Sequence, residues 1–277
     1  MKKFFFRLLV LFGAGALALS LSACGGSNTA KTDLVTLKVG ASPVPHAKIL
    51  KHLEESGEAA KVGLKLEVKE FTDYVQPNEA LQAGDIDANY FQTVPYLNSE
   101  SKSRGYKFQA GKGIHLEPLA IFSNKIKKLD ELKDGATITV INDPSNQGRA
   151  LALLTANGLL NVKGTDASVV QIKDDPKANP RKFKFHEVDG PALASTLPDV
   201  DIAVINGNYA QSAGLKPSEA LSIEKAEGNP ALNILVWRAD ETEKLDAIKK
   251  LDALLHSDAT KKFIESTWAD KSVLPAF

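Results

Sequence analysis

Thr137-Ile138-Thr139-Val140-Ile141-Asn142-Asp143-Pro144-Ser145-Asn146-Gln147-Gly148-Arg149 begins as a β-type run and passes directly into Ala150-Leu151-Ala152-Leu153-Leu154, which reads as a helix. Asp143 followed by Pro144 suits a helix start, with an N-cap oxygen and then a ring whose fixed φ matches the first turn. A helix that starts at the end of a strand points free backbone N–H groups and partial positive charge at whatever lies above it. Arg149 adds a full charge and a planar fork suited to a carboxylate. It shares a helical face with Leu153, Ala156 and Leu160, and the helix is apolar on nearly every side, so Arg149 should be buried and should need a partner. On this stretch alone two partners stay open: an Asp or Glu elsewhere in the chain, or the carboxylate of a bound ligand.

The surrounding pattern repeats this strand-to-helix unit. Upstream, residues 35–40 and 63–71 alternate apolar and polar side chains as strands do, residues 46–52 and 78–83 read as helices, and residues 84–91 read as a third strand. Residues 114–122 are an apolar run without helical period and read as a strand crossing between two lobes. Downstream, residues 167–172 continue the second α/β set, residues 184–188 and 200–206 are strands, and residues 191–197 form a short helix. Residues 231–237 read as the return crossing, and residues 243–255 and 259–268 are amphipathic helices. Such alternation predicts an α/β fold with parallel sheets. The predicted organisation is a leader (residues 1–23), a tether (24–33), a discontinuous lobe 1 (34–120 with 233–277) and lobe 2 (121–232). A ligand site in such a fold lies beyond the carboxyl ends of the strands. Tyr74, Tyr96, Asn146 and Arg149 follow predicted strands, Phe91 and Asn206 end theirs, and Asn233 sits in the return crossing.

The ends and composition narrow the function classes. Lys2, Lys3 and Arg7 precede an apolar stretch over residues 8–19, too short to span a membrane and suited to an export signal. Leu21-Ser22-Ala23-Cys24 is a lipobox, so Cys24 is the expected site of lipidation, and several acyl chains anchor firmly. Cys24 is the only cysteine, which excludes disulfides, cysteine metal sites and thiol nucleophiles. The chain carries 34 basic and 34 acidic residues; loss of the leader's three basic ones leaves a net charge of −3. That argues against a nucleic-acid partner. The five histidines, at 46, 52, 115, 186 and 256, show no metal-ligand spacing, and no metal site or cofactor is expected. No phosphate loop or nucleophile elbow is present.

Taken together, the lipobox, Phe71-Thr72-Asp73-Tyr74-Val75, Gly84-Asp85-Ile86-Asp87-Ala88-Asn89-Tyr90-Phe91-Gln92, Asn142-Asp143-Pro144-Ser145-Asn146 with Arg149, and Val204-Ile205-Asn206-Gly207-Asn208-Tyr209-Ala210 resemble the MetQ/NlpA family of methionine-binding lipoproteins. The resemblance covers essentially the whole chain. It implies a two-lobed periplasmic-binding-protein fold of type II kind, with two crossings, that closes on its ligand. It implies capture of L-methionine and its delivery to an ABC permease with its ATPase, by a monomer anchored to the outer face of the cell membrane, without enzymatic chemistry. Arg149 would hold the ligand carboxylate; Asn146, Asn206 and Asn233 would bond its carboxylate and amino ends. Tyr74, Phe91 and Tyr96 would surround the thioether, for which aromatic contacts are favourable. The family pattern usually reads Phe-Gln-His where this chain has Phe91-Gln92-Thr93. Thr93 is therefore where a different amino acid or a short Met-containing peptide would be admitted. A cleft hydrolase and a structural surface lipoprotein are the readings from other classes.

Overall fold

The computed structural model describes residues 34–277; the leader, Cys24 and the tether lie outside them. Two mixed sheets organise the chain. The first contains β1 (Val35–Ala41), β2 (Leu64–Glu70), β3 (Ala88–Thr93), β4 (Phe108–Leu116), β10 (Leu232–Arg238) and β11 (Leu274–Pro275), in the order β11-β4-β10-β3-β1-β2. The second contains β5 (Ala120–Phe122), β6 (Thr137–Ile141), β7 (Lys184–Val188), β8 (Ile202–Ile205) and β9 (Ser222–Ile223), in the order β7-β6-β8-β5-β9. Helices α1 (Lys48–Glu55), α2 (Glu58–Lys61), α3 (Gln76–Ala83), α4 (Val94–Arg104), α5 (Pro144–Ala156), α6 (Val169–Ile172), α7 (Gly207–Ser212), α8 (Leu245–Leu255) and α9 (Asp258–Thr267) link and cover them.

Each sheet buries apolar side chains on both faces. Leu37, Val39, Tyr90 and Leu235 pack with α1 and α8 residues on one face of the first sheet, while Phe71, Leu81, Ile86 and Ile234 pack on the other. In the second sheet Ile138 and Val140 pack beneath α5, and Ala203 and Ile205 face Leu193 and Tyr209. Two-sided burial explains why β6 and β8 read as apolar runs and not as alternating strands.

Several expectations from sequence are corrected. The sheets are not wholly parallel: β1 pairs parallel with β2 and β3, but β10 runs antiparallel to β3 and β4. In the second sheet, β6 is parallel to β7 and β8, and β5 is antiparallel to β8 and β9. Residues 84–87 do not belong to the third strand. Gly84 ends α3 in the left-handed region (φ 80), and the Asp87 carboxylate accepts from Lys38 N at 2.8 Å, so the strand starts only at Ala88. Residues 169–172 form one helical turn held by a Ser168/Gln171 capping box. Residues 191–197 hold two 3-10 turns, Gly190–Ala192 and Ala194–Thr196, in place of a helix.

The crossings also differ. The apolar run at 114–122 is two strands in two sheets, and the chain changes lobe at residues 117–119. The return passage is residues 224–231, because β10 lies entirely within the first sheet. The passages touch: Glu224 N donates to Leu119 O at 2.8 Å, and Leu119 N donates to the Glu224 carboxylate at 3.1 Å. No helix among the described residues is long and apolar enough to cross a membrane.

Candidate functional site

Beside these passages a small cavity opens between the two sheets' carboxyl ends. It is lined by all eight residues singled out from sequence: Tyr74, Phe91, Thr93, Tyr96, Asn146, Arg149, Asn206 and Asn233. Gln92, Glu117, Gly207 and Asn208 complete the lining.

One wall is aromatic and comes from the first lobe. Phe91 leaves β3, Tyr96 sits in the first turn of α4, and Tyr74 lies in the loop after β2; their ring centroids are 5.7–6.0 Å apart. Tyr96 Oη donates to Tyr74 O at 3.0 Å, which satisfies a phenol that burial would otherwise strand. Beneath them Asn78, Asn89 and Gln92 form a closed amide network, with Gln92 Nε2 donating to Asn78 Oδ1 at 2.7 Å and to Asn89 Oδ1 at 2.8 Å. This network fixes β3 to α3 under the ligand wall. Thr93 caps α4, its hydroxyl accepting from Tyr96 N at 3.4 Å.

The other wall is polar and comes mainly from the second lobe. Asp143 caps α5 by accepting from Asn146 N at 2.8 Å, and it also takes the Asn146 side-chain amide. That fixes Asn146 Oδ1, which accepts from Asn206 Nδ2 at 2.9 Å. Asn206 Oδ1 is then left buried with no partner among the described residues. Asn233, on β10, accepts from His46 Nε2 at 2.9 Å. Burial, partly countered by Asn146, lifts the Asp143 carboxyl to about 6.

Arg149 has the internal partner that its burial requires. Nε donates to Glu224 at 2.9 Å and Nη2 to the same carboxylate at 2.5 Å, while Nη2 also bonds Glu117 O at 2.9 Å. One guanidinium thus ties both interlobe passages to α5 while forming part of the cavity wall.

Sequence reasoning missed the cluster behind that wall. His46, His115 and Glu117 are buried, with ligand-type atoms within 4.8 Å of one another, although linear spacing separates His46 from the other two. The only local signal was His115-x-Glu117, which puts both side chains on one face of a strand. Tyr90 Oη lies 2.5 Å from His115 Nδ1, His115 Nε2 donates to Glu117 Oε1 at 2.9 Å, and His46 Nε2 lies 3.3 Å from the same oxygen. Desolvation lowers His46 to about 4 and His115 to about 3, and lifts Glu117 to about 7. The cluster is therefore a hydrogen-bonded set of neutral imidazoles around one carboxyl, not a charged pair.

Residues 37–277 match the model of the NlpA lipoprotein family. The chain belongs to that family. It is 38% identical to the methionine-binding lipoprotein MetQ of Bacillus subtilis over 99% of each chain. A solved structure from Actinomyces odontolyticus is 53% identical and superposes with a TM-score of 0.83, covering 88% of this chain and all of that one. A nutrient-binding protein from Burkholderia cenocepacia, solved bound to methionine, is 38% identical with a TM-score of 0.80 over 87% of this chain and all of that one. The family's two-lobed fold and the paired sheets described above agree.

Proposed function

We propose that this member of the NlpA lipoprotein family is the solute-binding component of an ABC importer and captures methionine between its lobes. The observation that carries the reading is one cavity with an aromatic wall on one side and amides plus Arg149 on the other. An amino acid with an apolar, polarisable side chain matches that division: rings for the thioether, polar groups for the charged end. The methionine-bound relative and the relative named methionine-binding support the same ligand. Asn146, Asn206 and Asn233 hold the polar end, and Arg149 presents the remaining guanidinium edge to the carboxylate. The protein acts by capture and closure, without covalent chemistry. Lipidated Cys24 and the tether hold it on the outer face of the membrane, where it meets the permease.

Calorimetry on protein freed of co-purified ligand tests this. L-methionine should release heat with one-site stoichiometry, and D-methionine measured alongside gives the stereochemical preference. No heat with either, nor with any other amino acid, would sink the reading.

A second ligand class follows from Thr93. At Thr93, Asn146 and Arg149 the cavity adjoins a larger groove whose walls include Asn98, Lys102, Thr165 and Asn229. That groove gives a Met-containing dipeptide room that a closed amino-acid pocket would deny. Competition between methionine and such a dipeptide decides between them.

A further inference from the structure

Two side-chain oxygens of cavity-lining residues stand without partners. Glu117 Oε2 and Asn206 Oδ1 are both buried, and neither has a hydrogen-bond partner among the described residues. Buried acceptors left unpaired cost free energy that a donor-rich ligand group would recover. Gly207 lies between the residues that carry them. A Cβ there would fall 2.7 Å from Glu117 Cβ and 3.3 Å from Oε2, so only glycine lets the start of α7 lie against Glu117. An ammonium group, with three N–H donors and a positive charge, is the kind of group that would satisfy such oxygens.

The charge around Glu117 is equally uneven. From the segment before α1 it faces His46, and from β4 it faces His115; both are imidazoles whose burial keeps them neutral near pH 7. From α5, Arg149 hydrogen-bonds only the Glu117 backbone oxygen and is ion-paired with Glu224 of the return passage, and its charge offsets only part of the upward push that burial gives the Glu117 carboxyl. Tyr90 on β3 and Tyr74 in the loop after β2 contribute phenols. No uncommitted cation faces this carboxyl among the described residues.

Resting on the methionine-binding reading, we propose that Glu117 is the acceptor for the ligand's ammonium group, and that its carboxyl O–H gives its proton to solvent as that group docks. Capture is then coupled to proton release. The Oε2–H bond breaks, the proton passes to buffer, and an N–H of the ammonium takes its place against the oxygen. Burial lifts the empty-site carboxyl to about 7, so the coupling operates around neutral pH. Affinity should rise with pH up to about 7 and level off above it, with a limiting slope of about tenfold per pH unit on the acid side.

Calorimetric titration of the wild-type chain with L-methionine at pH 6.5, in buffers of low and high ionisation enthalpy, counts the protons released. The expected count is more than about half a proton per methionine at pH 6.5 and close to none at pH 8.5. Glu117→Gln should bind several-fold more weakly and release none. Heats that do not depend on the buffer overturn the proposal and leave methionine binding intact. Absence of heat in every buffer overturns the methionine reading itself. Proton release that persists in Glu117→Gln assigns the proton elsewhere, with Asp143 the first candidate, and overturns the role of Glu117. Should that variant fail to fold, infrared difference spectra of the wild type decide. Loss of a protonated-carboxyl band on adding methionine is expected, and an unchanged band is contrary.

Discussion

The hydroxyl of Tyr74 donates to Asn208 Oδ1 across 2.5 Å, and that bond joins the loop after β2 in the first lobe to α7 in the second. Both residues line the cavity, so the bond forms only when the lobes are together. It ties the aromatic wall to the element that also carries Gly207 and Asn206. A two-lobed binder gains affinity from contacts made only in its closed state.

Removing the hydroxyl tests that contribution. Tyr74→Phe should weaken methionine binding by about 1 kcal/mol, or several-fold, mainly through faster dissociation. Asn208→Ala should cost a similar amount, and the double variant little more than either, because both remove one bond. Stopped-flow displacement measures the rates; additive losses would show that the two residues act separately.

Arg149 has two roles that mutation can separate. Arg149→Ala leaves the Glu224 carboxylate facing the passages unpaired, and stability should fall by about 3 kcal/mol in chemical denaturation. Methionine binding should fall by at least about 2 kcal/mol. Replacing both partners, as Arg149→Met with Glu224→Gln, should recover much of the stability without recovering binding. If the double variant binds methionine as tightly as wild type, Arg149 serves only the hinge.

Thr93 joins specificity to helix capping. Thr93→His should tighten methionine binding if an imidazole at that position closes the side-chain end of the pocket. The same change removes the cap of α4, and with a 3.4 Å bond the loss should be near the low end, about 0.5 kcal/mol. Calorimetry and thermal unfolding on one sample report the two effects. Tighter binding of a Met-containing dipeptide by the wild type than by Thr93→His would mark the groove as used.

Acid should destabilise the fold through its buried histidines. Their folded values, about 4 for His46 and about 3 for His115, lie below the ordinary 6.5, so the unfolded chain binds more protons between. The stability they contribute is complete above 6.5 and is lost as pH falls toward those values, at about 1.4 kcal/mol per pH unit for each histidine. Glu117 and Asp143 are raised, to about 7 and about 6, so what they contribute is lost as pH rises toward those values. The slopes offset between about pH 4.5 and 6, and the histidine term prevails below. His115→Gln should therefore show a shallower loss of denaturation free energy below pH 4.5 than wild type.

The strand-to-helix unit at residues 137–154 was legible because each of its signals is local. A run of β-branched residues, Asp143 ahead of Pro144 and an apolar helix all act within a few residues. The same holds for β1, β2 and α5. The cavity-lining residues were legible as a set because they follow or end strands on one side of the fold and because the family motifs mark those positions. What misled was equally local. Residues 84–87 run straight into a strand and alternate polar with apolar side chains, but Gly84 closes α3 and Asp87 is held by Lys38. Residues 114–122 read as one strand because an apolar run does not show which sheet each half joins.

The sequence by itself determined most element types, the Asp143 cap of α5 and which side chains would gather at strand ends. Tertiary structure alone decided that β4 and β10 run antiparallel within the first sheet. It brought Glu224 to Arg149 across 75 positions of chain and placed His46 beside His115 and Glu117. The reason is physical. A cap or an alternating strand is selected by neighbours along the chain, whereas ion pairs and shifted carboxyls depend on burial and on partners that only chain packing supplies. In sequence Glu117 is one acid within an apolar run; in the fold it is a buried carboxyl in the cavity wall beside His46 and His115.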